Sequence, residues 1–188
     1  MSPSLQSLDI SPLLSPISSQ TCPQPKTSEE LKEWIKEYDG GVKNHDEPNT
    51  WDVRLVTDMS ALFLNMKMFN APIDQWNTSE VTNMSGMFQF ASSFNQPITM
   101  DTSKVTDMSQ MFYCAKSFNQ PITMDTSHVT DMNSMFYGAS SFNQPINMDT
   151  SKVTIMAGMF TGATAMTHPV PSVQRGATAA DQYRYNVP

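Results

Sequence analysis

The chain of 188 residues has little charge of either sign and little that points to chemistry. Asp, Glu, Lys and Arg make up 15% of it, and the balance is acidic, with a formal net charge of -7. A nucleic-acid partner needs a basic surface, so that class is set aside. The two cysteines, Cys22 and Cys114, lie far apart in no metal-ligand spacing, which excludes a disulfide framework and a zinc site of the usual pattern. No apolar run approaches the roughly 18 residues of a membrane span, so membrane insertion is not expected. The N-terminal MSPSLQSLDISPLLSPISSQTCPQP has no basic start, and its prolines interrupt each apolar run. It therefore does not read as a signal peptide.

A catalytic pattern is also missing. His45, His128 and His168 fall in a linker, a variable column and a decayed last unit, outside any Ser/His/Asp or Cys/His setting. There is no Gly-rich phosphate loop. Active sites place a few unlike residues once, whereas this chain places like residues repeatedly; neither an enzyme nor a cofactor is expected.

What is present is repetition. Trp51-Asp52, Trp76-Asn77, Met100-Asp101, Met124-Asp125 and Met148-Asp149 open successive units, spaced by 25 residues once and by 24 thereafter. The extra residue falls at Asp74-Gln75. Apolar columns run through the units: Val56, Val81, Val105, Val129 and Val153; Met59, Met84, Met108, Met132 and Met156; Leu62, Met87, Met111, Met135 and Met159. Two Phe columns follow, Phe63, Phe88, Phe112, Phe136 and Phe160, and Phe69, Phe94, Phe118 and Phe142. An Ile column holds Ile73, Ile98, Ile122 and Ile146, and Met166 and Val170 continue the last two. One unit buries too few side chains to offset the ordering of some 24 residues, at about 1–2 kcal/mol each for backbone alone, so units must stack to fold.

The expected fold is an α+β repeat solenoid whose coils carry short parallel strands, at Pro97–Met100 and Val105–Met108, and a single helical or 3₁₀ turn after Asp107. Ahead of it TSEELKEWIKEYDGG predicts a helix over 29–38, with Thr27 as N-cap, Glu30 completing a capping box, and Gly40-Gly41 as the stop. Leu31, Trp34, Ile35 and Tyr38 share one face, which should cover the open N-terminal end of the core. The organisation reads as a disordered Ser/Pro-rich leader (1–26), capping helix and linker (27–50), solenoid (51–173) and a polar tail (174–188) that can fold back over the last coil.

WDVRLVTDMSALF at 51–63, WNTSEVTNMSGMF at 76–88 and MDTSKVTDMSQMF at 100–112 resemble the BspA-like leucine-rich-repeat group, the proteins with the domain of unknown function 285. The resemblance covers about Leu31 to Val170. It implies leucine-rich-repeat-like coils and a role in adhesion or protein recognition, often at cell surfaces. Met replaces the unit-opening Trp from position 100 onward, and the missing signal peptide leaves localisation unknown.

Several columns could carry function. Asp58, Asn83, Asp107 and Asp131, and Asp52, Asn77, Asp101, Asp125 and Asp149, invite calcium, since stacked carboxylates repel. Each column tolerates Asn, which keeps the hydrogen bond and loses the charge, so turn-capping is the preferred reading and no metal is expected. Asn70, Asn95, Asn119 and Asn143 read as a structural ladder that satisfies main-chain groups, with binding the alternative. Leu55, Glu80, Lys104, His128 and Lys152 share no chemistry and form a variable, solvated column free to set specificity. Gln89, Tyr113, Tyr137 and Thr161 form another; Tyr113 and Tyr137 are either contact anchors or exterior packing. Cys114 reads as a small filler beside Phe90, Gly138 and Gly162. Asn77-Thr78-Ser79 and Asn83-Met84-Ser85 are glycosylation sequons, meaningful only on export. The expected function is non-catalytic binding of a protein partner through the exposed face at Glu80, Lys104, His128, Lys152, Gln89, Tyr113 and Tyr137. Recognition of a glycan or cell-wall polymer, and a structural role in a larger assembly, are the alternatives.

Overall fold

A computed structural model of the chain describes residues 22–42 and 44–171; the proposed tail and most of the proposed leader lie outside the described residues. One α-helix, α1 (Ser28–Asp39), and a 3₁₀ turn at Pro48–Thr50 precede the repeats. The Thr27 hydroxyl accepts the Glu30 amide at 3.1 Å, and the Glu30 carboxylate accepts the Lys26 amide at 2.7 Å. The helix stops where the Gly40 amide turns back to the Lys36 carbonyl, 2.9 Å away. Leu31 and Ile35, one turn apart, are fully buried, while Trp34 and Tyr38 pack partly against the same core. Residues 22–26, read from composition as leader, lie on the first unit: Pro25 is buried, and the Pro23 carbonyl accepts the Asp52 amide at 2.8 Å.

From Trp51 onward each unit is hydrogen-bonded to the next in one register. Main-chain amides at alternate residues donate forward to carbonyls one unit ahead. Met59, Ala61, Phe63 and Asn65 donate to Asn83, Ser85, Met87 and Gln89; Met108, Gln110, Phe112 and Cys114 donate to Asp131, Asn133, Met135 and Tyr137, all at 2.7–2.9 or 3.0 Å. A second line runs backward, from the amides of Thr82, Thr106, Thr130 and Thr154 to the carbonyls of Thr57, Thr82, Thr106 and Thr130. These links produce isolated parallel bridges through Asp58, Asn83, Asp107, Asp131 and Ile155.

Strands longer than a single bridge are not found among the described residues. The run Pro97–Met100, expected as a strand, meets its neighbour through a side chain, the Thr99 hydroxyl donating to the Asp74 carbonyl at 2.7 Å. The stretch after Asp107 is a series of tight turns, with Met111 and Tyr113 amides returning to Met108 and Gln110 carbonyls. The reason is conformational. Two positions per unit stand at positive φ: Ala61, Gly86, Gln110, Ser134 and Gly158, and Asn65, Phe90, Cys114, Gly138 and Gly162. A left-handed residue every few positions interrupts any right-handed helix. Up to the fourth unit, these residues are themselves forward donors in the inter-unit ladder.

The apolar columns face one continuous core. Rings of the first Phe column stack at 5.0, 5.4, 5.3 and 5.3 Å between centroids, nearly parallel, from Phe63 to Phe160. Phe69, Phe94, Phe118 and Phe142 form a second stack at 5.9–6.2 Å, with 6.1 Å at its centre. Ring spacing follows the backbone spacing between neighbouring extended segments, roughly 4.8 Å, with the offset that aromatic pairs prefer. Thr78, Thr102, Thr126 and Thr150 form a buried polar column. The first three hydroxyls each donate to a carbonyl of the next unit, that of Asp101, Asp125 or Asp149, at 2.9 Å. The core is closed at its N-terminal end by α1, whose Ser28 hydroxyl donates to the Asp58 carbonyl.

Candidate recognition surface

The outward side of the stack divides into side chains consumed by the fold and side chains left over. The two acidic columns belong to the first group. Asp58, Asn83, Asp107 and Asp131 each accept the amide two residues ahead at 2.7–2.9 Å. Asp101, Asp125 and Asp149 do the same for Ser103, Ser127 and Ser151. These are Asx-turns, in which the oxygen substitutes for a main-chain acceptor. No group of His, Cys, Asp and Glu suited to a metal ion occurs among the described residues.

Electrostatics separates the columns. Hydrogen bonds from the Ser103 hydroxyl and amide hold Asp101 below the ordinary carboxylate range, and Asp125 is lowered by Ser127 in the same way. Asp149 is lowered chiefly by the Ser151 amide. Burial pushes Asp131 the other way, with Asp107 adding repulsion. A bidentate Arg54 clamp lowers Asp52, through bonds of 2.8 and 2.7 Å.

The Asn column is consumed too. Asn70, Asn95, Asn119 and Asn143 side-chain oxygens accept the amides of Asn95, Asn119, Asn143 and Thr167, each at 2.9 Å. Gln120 and Gln144 add side-chain bonds back to Asn95 and Asn119. An amide pair at this position ties each unit to its predecessor.

The remainder forms two outward columns. Leu55, Glu80, Lys104, His128 and Lys152 are all exposed. Lys104 grips both oxygens of Glu80 at 2.8 Å, while the His128 ring contacts the Ser127 hydroxyl at 3.2 Å. In the second column the rings of Tyr113 and Tyr137 stack at 4.8 Å and 6°. Phe90 meets Tyr113 edge-on at 5.3 Å and is itself 37% exposed. Gln89 turns sideways, its amide donating to Gln110 at 2.7 Å. Phe90, Tyr113 and Tyr137 thus make one aromatic strip across three units. The sequence puts Phe90 in the column of Cys114, Gly138 and Gly162 without marking it as exposed; its φ is 60°, the left-handed position that Asn65, Gly138 and Gly162 share. Cys114 is half-buried beside Gly138, and burial raises its thiol, a setting that disfavours a reactive thiolate.

His45 stacks on Trp34 at 3.8 Å near the cap, with Glu37 3.5 Å from its ring nitrogen, and His168 is exposed at the last unit. Neither histidine meets the outward strip. Tyr38 donates to Glu47 at 2.6 Å, which holds the phenol up at about 12. No helix among the described residues is long and apolar enough to cross a membrane.

The pattern that builds this surface is shared with other proteins. The family described as Mycoplasma protein of unknown function, DUF285, matches the chain twice, over residues 30–124 and 99–183. The chain belongs to this family. The two DUF285 matches overlap, as expected where one repeating pattern can be laid on a chain in more than one register. Neither a curated protein nor a solved structure matches the chain.

Proposed function

We propose that this DUF285 protein is a non-catalytic recognition module that binds a protein partner through the aromatic strip Phe90–Tyr113–Tyr137 and the adjoining Glu80–Lys104–His128–Lys152 column. The stack is, in this reading, a short solenoid of the BspA-like leucine-rich-repeat kind. The observation that carries the proposal is the contrast between inward columns of nearly constant identity and two outward columns whose residues differ from unit to unit. A position that every unit could fill alike but does not is where specificity can reside.

A glycan is the weaker candidate partner. Sugars stack on open aromatic faces, but Tyr113 and Tyr137 turn one face to each other. Tyr113 also meets Phe90 in a T-shaped pair. The strip offers ring edges and hydroxyls, which suit the mixed apolar and polar contacts of a protein interface. Affinity capture from native cells with the intact chain should return one stoichiometric protein. Replacing Tyr113 and Tyr137 by Ala together should weaken its binding by at least about tenfold, the effect of a modest hot spot. Unchanged protein binding in that variant, or a glycan-array signal lost in it, would overturn the reading.

A further inference from the structure

The inter-unit hydrogen bonds give the stack a polarity. Met132, Ser134, Phe136 and Gly138 pass their amides forward to the carbonyls of Ile155, Ala157, Met159 and Thr161. The equivalent donors of the next unit are Met156, Gly158, Phe160 and Gly162, and none of these four has an acceptor among the described residues. The edge is not built for water. Met156 and Phe160 are each 1% exposed, and the Phe160 ring has one stacking partner among the described residues, Phe136 at 5.3 Å. Main-chain donors beside such apolar side chains require an acceptor.

The possible occupants differ in what they present. A second copy could offer its own first unit only if that end were open. It is closed: α1 buries Leu31 and Ile35 there, and Ser28 already donates to the Asp58 carbonyl. Two C-terminal edges would set donors against donors. A row of carbonyls at alternate residues, continuing the 24-residue register, fits instead. Counted from Ile155, Ala157, Met159 and Thr161, that register falls on Ala179, Asp181, Tyr183 and Tyr185. The family match also runs on to residue 183.

We propose that the C-terminal edge is a docking site for the chain's own residues 172–188, with the carbonyls of Ala179, Asp181, Tyr183 and Tyr185 accepting the amides of Met156, Gly158, Phe160 and Gly162. Both ends of the stack are then sealed by segments outside the regular units, and partner recognition is confined to its sides. End-to-end growth, the hazard of any open hydrogen-bonding edge, is blocked.

The test uses the full chain in two measurements. Amide exchange followed by NMR should show Met156, Gly158, Phe160 and Gly162 slowed at least about 100-fold relative to unstructured amides, independent of protein concentration. With Cys22→Ser and Cys114→Ser removing the native thiols, the pair Ile155→Cys and Ala179→Cys should form a disulfide within one chain. Exchange within about tenfold of unstructured rates would overturn the proposal. So would protection that disappears on dilution together with a crosslink joining two chains, which assigns the edge to a second copy. Protected amides with no crosslink at this register would overturn it as well.

Discussion

The N-terminal end and the interior of the stack solve the same packing problem by opposite means. Inside, each unit is covered by near-copies of itself: Phe112 lies between Phe88 and Phe136, and the Asn119 side chain receives the amide of Asn143 while its own amide goes to Asn95. At the N-terminal end every contact is made once. Trp51 meets Trp34, Tyr38 and His45 edge-on, the Trp76 indole donates to the Pro48 carbonyl at 2.7 Å, and Asn49 bridges Asp74 and Gln75. The single inserted residue at Asp74-Gln75 is where that bridge lands. The consequence is visible along the flank. Burial falls with distance from that end: Ile73 and Trp76 are 1% and 4% exposed, Ile98 and Met100 5% and 6%, and Ile122, Met124, Ile146 and Met148 are only partly buried. Repetition closes the middle of the core, and unique residues are needed wherever repetition stops.

If so, substitutions in the two regions should differ in size and reach. Phe112→Ala, in the middle of the first stack and 4.2 Å from Phe118 of the second, should cost the most, about 3–5 kcal/mol in denaturant unfolding, because three neighbouring rings lose a partner. Ile35→Ala under α1 should cost about 2–4 kcal/mol, with amide exchange rising first in the units nearest the cap; an equal rise in the last units would mean that the cap and the interior units open together. Gly138→Ala should cost about 1–2 kcal/mol, since φ is 65° and the added Cβ would sit 2.9 Å from the Cys114 sulfur. Adding Cys114→Ala, which removes the sulfur and keeps a Cβ 3.9 Å away, should recover the steric part and leave the backbone part. Thr27→Ala, which removes the helix cap alone, should cost about 1 kcal/mol.

The smallest effects concern charge, and they have opposite signs. Asp101, Asp125 and Asp149 have lowered folded pKa values, so their contribution is present above the unfolded carboxylate pKa. It is lost as pH falls through the folded one. Asp131 is raised, so its contribution is present at acid pH and lost as pH rises through its folded value. Asp131→Asn should therefore leave stability equal or slightly higher near neutral pH, with the gain fading in acid. Asn83, one column member that already lacks the charge, keeps the same turn bond at 2.9 Å. A melting temperature that rises with added calcium in the native chain and not in the variant would contradict turn-capping and favour an ion.

Much of the stack was legible because a fixed period makes columns, and columns of Val, Met and Phe can only be inward. The helix was legible from Thr27, Glu30 and the spacing of Leu31 and Ile35. The main-chain geometry was not. Gly86 and Gly158 hint at a left-handed position, but Ala61, Gln110 and Ser134 share it and hide the requirement. Without these positions the sequence reads Pro97–Met100 as a strand and the run after Asp107 as a helical or 3₁₀ turn. That run has amide bonds three residues back, from Met111 to Met108 and from Tyr113 to Gln110, but does not continue into a helix. The buried Thr78, Thr102 and Thr126 column escaped notice for a similar reason: a Thr repeated beside Asp and Ser looks like surface, and only its bond to the next unit explains its burial. On the outward strip, the Tyr113–Tyr137 pair was readable by column, while the exposure of Phe90 was not.

Residues one unit apart in the Phe columns touch, and proton–proton contacts between Phe rings in solution report that touching. Contacts should link Phe88 to Phe112, Phe112 to Phe136 and Phe136 to Phe160, together with Phe94 to Phe118 and Phe118 to Phe142. Rings that instead contact partners off this register would contradict this stacking.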